Sequence, residues 1–229
     1  MKKIFLLFAI FTLAISCNKD EEEEPLSPAE QALADDAEIV EYMKTHKIVF
    51  LDGVWQNNID WKVEEILEDD PEGTESLFDI MGANVIENVK NGINYKMYYH
   101  FVEQGGSSDF VEETDEFHAD YTVSYLSGSI LETTGSKLDA TKFTYDTESL
   151  YKGWQLILEI LHTGTLPNAT PPSLPDTYRS IVEKPGRAII LIPSGLAIGD
   201  AGDVTQTSRM PLHFDMVIYN KTTVETVEE

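Results

Sequence analysis

Three segments beyond Gly92 alternate apolar and polar side chains with a period of two. This pattern restricts the fold more than any other feature of the chain. Ile93, Tyr95, Met97 and Tyr99 alternate with Asn94, Lys96, Tyr98 and His100. Tyr121, Val123 and Tyr125 alternate up to a stop near Gly128, and Leu212, Phe214, Met216 and Ile218 share one face near the C-terminus. Successive side chains of a strand point to opposite faces, so each segment reads as a strand. Phe143 with Tyr145, and the apolar run from Arg187 to Ile192, mark two more. Between them, Trp154, Ile157, Leu158 and Leu161 suit a short helix beginning near Gly153. A mainly antiparallel sheet folded around one central helix is an α+β architecture.

The chain has 229 residues, with 16 Lys and Arg against 41 Asp and Glu, a formal charge of -25. Nucleic acid and other polyanions are poor partners for such a chain. Hydrophobic residues make up 42%, enough for a core and against full disorder. A single cysteine, Cys17, excludes an intrachain disulfide and a cysteine metal cluster. Residues 1–16 join Lys2 and Lys3 to an apolar run too short to span a bilayer, which reads as a secretory signal peptide. Leu13-Ala14-Ile15-Ser16-Cys17 resembles the lipobox of bacterial lipoproteins. That resemblance implies cleavage before Cys17, acylation of its sulfur and anchoring to a lipid bilayer in the cell envelope. The acidic tether, residues 17–28, resembles the surface-export signal of Bacteroidetes lipoproteins in its Lys19, Asp20 and Glu21 to Glu24. An outer-membrane location follows, with surface display preferred over a periplasm-facing anchor.

An extension follows over residues 29–89. Ser27, Pro28 and Glu30 form a helix start, and Ala32, Ile39, Val40 and Met43 a buried stripe ending near His46. Ile48 to Leu51 is a candidate strand. Trp55 and Trp61 are either an aromatic pair for a glycan or, on the favoured reading, cover for the edge of a core.

Motifs for familiar chemistry are missing. The five histidines form no HExxH pair, and GxSxG, GxGxxG and P-loop patterns do not occur. His213, between Leu212 and Phe214, is expected to face away from both in a structural or solvent-facing role. What remains is binding, or catalysis without a nucleophile.

Six blocks, in order, resemble the FKBP-type peptidyl-prolyl isomerases over roughly residues 90–220. Gly92-Ile93-Asn94-Tyr95-Lys96 resembles "G-l-x-Y-k". Asp120 to Tyr125 resembles "D-x-V-x-V-x-Y", and Gly135 to Thr141 resembles "G-x-x-F-D-S-S". Leu150-Tyr151-Lys152-Gly153-Trp154 resembles "V-I-x-G-W". Pro185 to Gly199 carries an "I-P-s-x-l-a-Y-G"-like stretch, and Leu212 to Met216 resembles the closing "L-x-F-x-V". The resemblance implies a twisted antiparallel sheet wrapped against one short helix; by composition, residues 221–229 are a polar tail. It implies a shallow aromatic pocket for proline-containing segments, with Trp154 as floor and Tyr125 and Asp139 as the other catalytic residues. Leu138, Phe143, Leu150, Tyr151 and Ile198 complete the substrate-binding walls, unless Phe143 is a core strand residue. No metal or organic cofactor is implied. Three departures stand out: Leu138 replaces a phenylalanine, Ile198 replaces a tyrosine whose hydroxyl contacts ligand, and residues 162–184 are inserted. They set a non-catalytic peptide-binding protein beside the isomerase as the alternative.

Overall fold

The computed structural model describes residues 26–52, 59–134, 140–145, 150–166, 178–197 and 210–222. The leader, Cys17, the acidic tether up to residue 25, Trp55, Leu138, Asp139 and Ile198 lie outside the described residues. In chain order the elements are α1 (Pro28–Thr45), β1 (His46–Phe50), β2 (Trp61–Glu65), α2 (Leu77–Met81) and β3 (Val85–Lys90). They continue with β4 (Ile93–Glu103), β5 (Glu116–Tyr125), β6 (Ile130–Thr133), β7 (Thr141–Thr144), α3 (Lys152–Leu158) and α4 (Tyr178–Ile181). The last are β8 (Gly186–Ile192), α5 (Ser194–Ala197) and β9 (Leu212–Thr222). No helix among the described residues is long and apolar enough to cross a membrane.

Local chemistry sets the boundaries. Ser27 caps α1 by accepting from the Glu30 N–H at 3.3 Å, while the Glu30 carboxylate accepts from the Ser27 N–H at 2.9 Å. Pro28 occupies the first turn, where its missing N–H costs nothing. Ser76 and Asp79 repeat the reciprocal cap at α2. Between β3 and β4, Asn91 and Gly92 both take positive φ, 54° and 79°, the backbone that a tight two-residue hairpin requires.

The large sheet runs β3-β4-β8-β9-β5-β6, with every pairing antiparallel. β7 shares an edge of β5 with β6: residues 116–119 of β5 pair with β7, and 122–124 pair with β6. α3 lies against one face. Its Trp154, Ile157 and Leu158 join Met97, Phe117, Val123, Ile190, Phe214 and Met216 in one buried cluster. The α+β arrangement expected from the FKBP resemblance is therefore the one observed.

The opposite face is covered by the extension. Ile39 and Met43 of α1 and Leu77 and Met81 of α2 pack with Tyr98 and Leu191. Trp61 of β2 packs with Ile189, Val217 and Tyr219. Trp61 is only 2% exposed, donates through Nε1 to Asp215 at 2.6 Å and lies under the Arg187 guanidinium. It is therefore core cover, as favoured above, and offers no face to a glycan. His213 does face away from the α3 cluster, but it reaches the extension rather than solvent. Its Nδ1 is 3.5 Å from the Tyr42 hydroxyl and its Nε2 3.2 Å from Asp215. β3 belongs to the large sheet, so the sheet starts before residue 90, and β9 carries it to Thr222.

Two buried carboxylates tie the layers together. Asp120 receives a bidentate pair from Arg179, at 2.7 and 2.8 Å, plus the hydroxyls of Tyr219 and Thr134. This fixes α4, part of the inserted segment, to the sheet. Asp35 of α1 is fully buried and accepts from the Ser194 N–H at 2.8 Å and the Ser194 hydroxyl at 2.6 Å, with Gln31 adding a third donor. It thus holds the start of α5, the segment that follows β8. Burial holds the Asp35 carboxyl above its usual range despite these donors. Asp35→Ala leaves the Ser194 donors unpaired, and we expect a loss of about 1–3 kcal/mol in urea unfolding of the purified chain.

Candidate functional site

The site is built on the short helix α3. Gly153 lets the helix lie directly on β8: a Cβ there would stand 2.5 Å from Ile192 Cδ1. The next residue, Trp154, is therefore pressed into the sheet and is only 2% exposed. Four rings stand edge-on to it. Tyr121 lies at 4.8 Å between centroids, Phe143 at 5.6 Å, Phe214 at 5.9 Å and Tyr151 at 6.4 Å, with interplanar angles of 73–81°. Edge-to-face geometry sets the positive edge of one ring against the negative face of the other, and each such pair adds about 0.5–1.5 kcal/mol beyond burial. The result is a stiff aromatic box with an indole at its base.

Above this base lies an open cleft of about 660 Å³, lined by Tyr121, Glu132, Lys142, Phe143, Thr144, Leu150, Tyr151 and Trp154. That volume suits a small ligand or a few peptide residues. Tyr121 donates its hydroxyl to Glu132 Oε1 at 2.5 Å. Burial first, then the hydrogen bond to Glu132 and that carboxylate's charge, hold the Tyr121 phenol far above its ordinary range. Burial and then the Glu132 charge raise Tyr151. Tyr145, beside the box, is pushed up to about 12 by burial and then by Glu159. All three phenols keep their protons at neutral pH. Among the described residues no cluster of His, Cys, Asp or Glu is disposed to hold a metal ion.

Of the residues singled out in the sequence, Trp154, Phe143, Leu150 and Tyr151 meet at this cleft. Tyr125 does not line it. It ends β5 opposite Leu212, partly buried against the core, and its backbone closes the turn to Ser129. The phenol over the tryptophan is Tyr121 instead. Tyr121, Val123 and Tyr125 share one strand face, so alternation alone leaves the choice open; the placement of α3 across the middle of β5 decides it. Leu138, Asp139 and Ile198 lie outside the described residues. The carboxylate that the structure does place in the cleft is Glu132, which sequence reading missed. Its signal is weak: one acid among 41, on a four-residue strand whose pairing with β5 only the fold reveals.

No known protein-family profile matches the chain, and no curated protein matches it in sequence. Similar solved structures exist. FkpA from Escherichia coli is 18% identical, with a TM-score of 0.41, over 60% of this chain and 52% of that one. The chain thus spans about half the length of FkpA. A peptidyl-prolyl cis-trans isomerase from Pseudomonas syringae pv. tomato is 15% identical, with a TM-score of 0.42, over 87% of this chain and 99% of that one. At these scores any functional reading rests on the residues of the cleft itself.

The close contact at Gly153 has a measurable consequence. Gly153→Ala should push α3 off β8 and cost about 1–3 kcal/mol by overpacking, more than alanine's helix preference returns. A lower Tm together with altered near-UV circular dichroism from the displaced Trp154 is the expected result.

Proposed function

We propose that the chain is a peptidyl-prolyl cis-trans isomerase of the cell envelope, anchored through an acylated Cys17. The observation that carries this reading is the open cleft floored by Trp154 and walled by Tyr121, Phe143, Leu150 and Tyr151. Rotation about an Xaa-Pro bond must break amide resonance, and the barrier for peptide-bond rotation is about 18–20 kcal/mol. No covalent step is needed. An aromatic pocket that fits the twisted, less polar amide better than the planar one lowers the barrier by differential binding. Trp154 forms the buried apolar base beneath the place of the pyrrolidine ring, and the rings of Tyr121, Phe143 and Tyr151 around it line the cleft and hold that base rigid. The Tyr121–Glu132 pair places a phenol–carboxylate contact in the cleft, a polarity for which the sequence offered Tyr125 and Asp139. Asp139, outside the described residues, is assigned by the resemblance the role of ordering pocket residues and shaping the local field. Slow proline isomerisation limits the folding of some exported chains, which gives such an enzyme work outside the cytoplasm.

A second reading, binding without catalysis, draws on one feature. The Tyr121 proton is already engaged by Glu132, so a donor for the substrate carbonyl must come from another group.

Cis–trans relaxation of proline model peptides separates the two. The purified full-length chain is expected to accelerate relaxation, and Trp154→Ala to remove most of the acceleration. No acceleration across several residues preceding proline would sink the isomerase reading. For the anchor, Cys17→Ser is expected to move the protein from the membrane fraction to the soluble fraction; unchanged partitioning overturns it. Protease shaving of intact cells is expected to remove the domain if it is displayed, and protection until lysis refutes surface display.

A further inference from the structure

The cleft contains a negative charge that the described residues leave without a cation. Glu132 sits on β6 opposite Val123 and is solvent-exposed. Its carboxylate accepts from a neutral phenol, the Tyr121 hydroxyl. The cation on the other wall, Lys142, is engaged elsewhere: its Nζ lies 2.6 Å from Glu116 Oε2. These three charges sum to one net negative at the mouth of the cleft. The field of Glu132 is felt inside, since it contributes to raising both the Tyr121 and Tyr151 phenols. The whole chain, at -25, adds a background that repels acidic segments and draws in basic ones.

Distance favours a direct contact. The Tyr121 ring is 4.8 Å from the indole, and Glu132 holds the far end of that phenol. A proline ring on Trp154 has neighbouring residues whose Cα atoms stand about 3.8 Å from its own. An extended lysine or arginine on such a neighbour reaches the Glu132 carboxylate. A glutamate there meets like charge, and a leucine gains no ionic contact.

We infer that the cleft selects proline segments carrying a lysine or arginine next to the proline, with Glu132 as the specificity-determining residue. This deepens the proline-binding reading of the cleft and rests on it. Glu132 is exposed, so its ion pair has the modest worth of a surface pair, about a two- to fivefold change in affinity.

Calorimetric titration of the purified full-length chain tests this, using peptides identical except for Lys, Leu or Glu beside the proline. One set varies the preceding residue and a second set the following one. The expected result is tighter binding in the order Lys, Leu, Glu in at least one set, flattened by high salt. Glu132→Gln is expected to abolish the order. Glu68→Gln, an exposed site in the connection between β2 and α2, removes the same charge far from the cleft and is expected to preserve it. Equal affinities, an order that survives Glu132→Gln, or equal loss in Glu68→Gln each overturn the inference. Ordered binding without accelerated isomerisation defeats the isomerase reading and leaves the selectivity standing. Failure of every proline peptide to bind defeats both.

Discussion

Strand β8 has apolar side chains on both faces and must be covered on both. Ala188, Ile190 and Ile192 face α3, while Ile189 and Leu191 face the extension, and all five are fully buried. Removing either cover would expose a contiguous apolar strip in the middle of the sheet, the kind of surface that soluble proteins keep small. The rest of the architecture answers this need. α3 supplies one cover and brings Trp154 with it. α1, α2 and the β1–β2 pair supply the other. The extension is therefore a layer of the same core rather than an appendage.

The two covers differ in chemistry. On the α3 side the contacts are aromatic and aliphatic, and the exposed rim becomes the cleft. On the extension side, polar side chains are threaded among the apolar ones: Tyr42, His213, Asp215 and Trp61 form a chain of contacts beneath the helix and strand pair. Asp36 holds Lys96 and Tyr98 at the edge, and Asp35 holds Ser194. Such groups are costly if mispaired, so they fix where the extension sits more sharply than greasy contacts do. Through Ser194, that registration extends to the segment leading from β8 towards Ile198, next to the residues placed in the pocket by resemblance.

Much of this was legible in the sequence, for physical reasons specific to each element. Period-two alternation revealed β4, β5 and β9 because one face of each is strongly apolar. The spacing of Trp154, Ile157, Leu158 and Leu161 marked the helix because its buried side chains recur every three to four residues, and the resemblance marked Trp154 as the base. The extension was harder to read: β2 alternates weakly, α2 is only five residues long, and the polar residues that anchor it look like ordinary surface. His213 illustrates the difficulty. Its direction followed from alternation, but what covers it depends on residues more than 150 positions away in the chain. Tyr121 and Glu132 escaped for the same reason, since strand pairing and helix placement, not local pattern, bring them together over Trp154.

The edge strand β6 has a consequence of another kind. It is short and wholly exposed, with Ile130 and Leu131 both exposed large apolar residues. An open strand edge with such side chains is a template on which another strand can add, and so a route to aggregation. Glu132 interrupts that apolar run and places a charge on the edge. The same carboxylate that faces the cleft thus also acts as a gatekeeper against self-association. Any evolutionary drift that neutralised it would put the solubility of the chain at risk along with the character of its cleft.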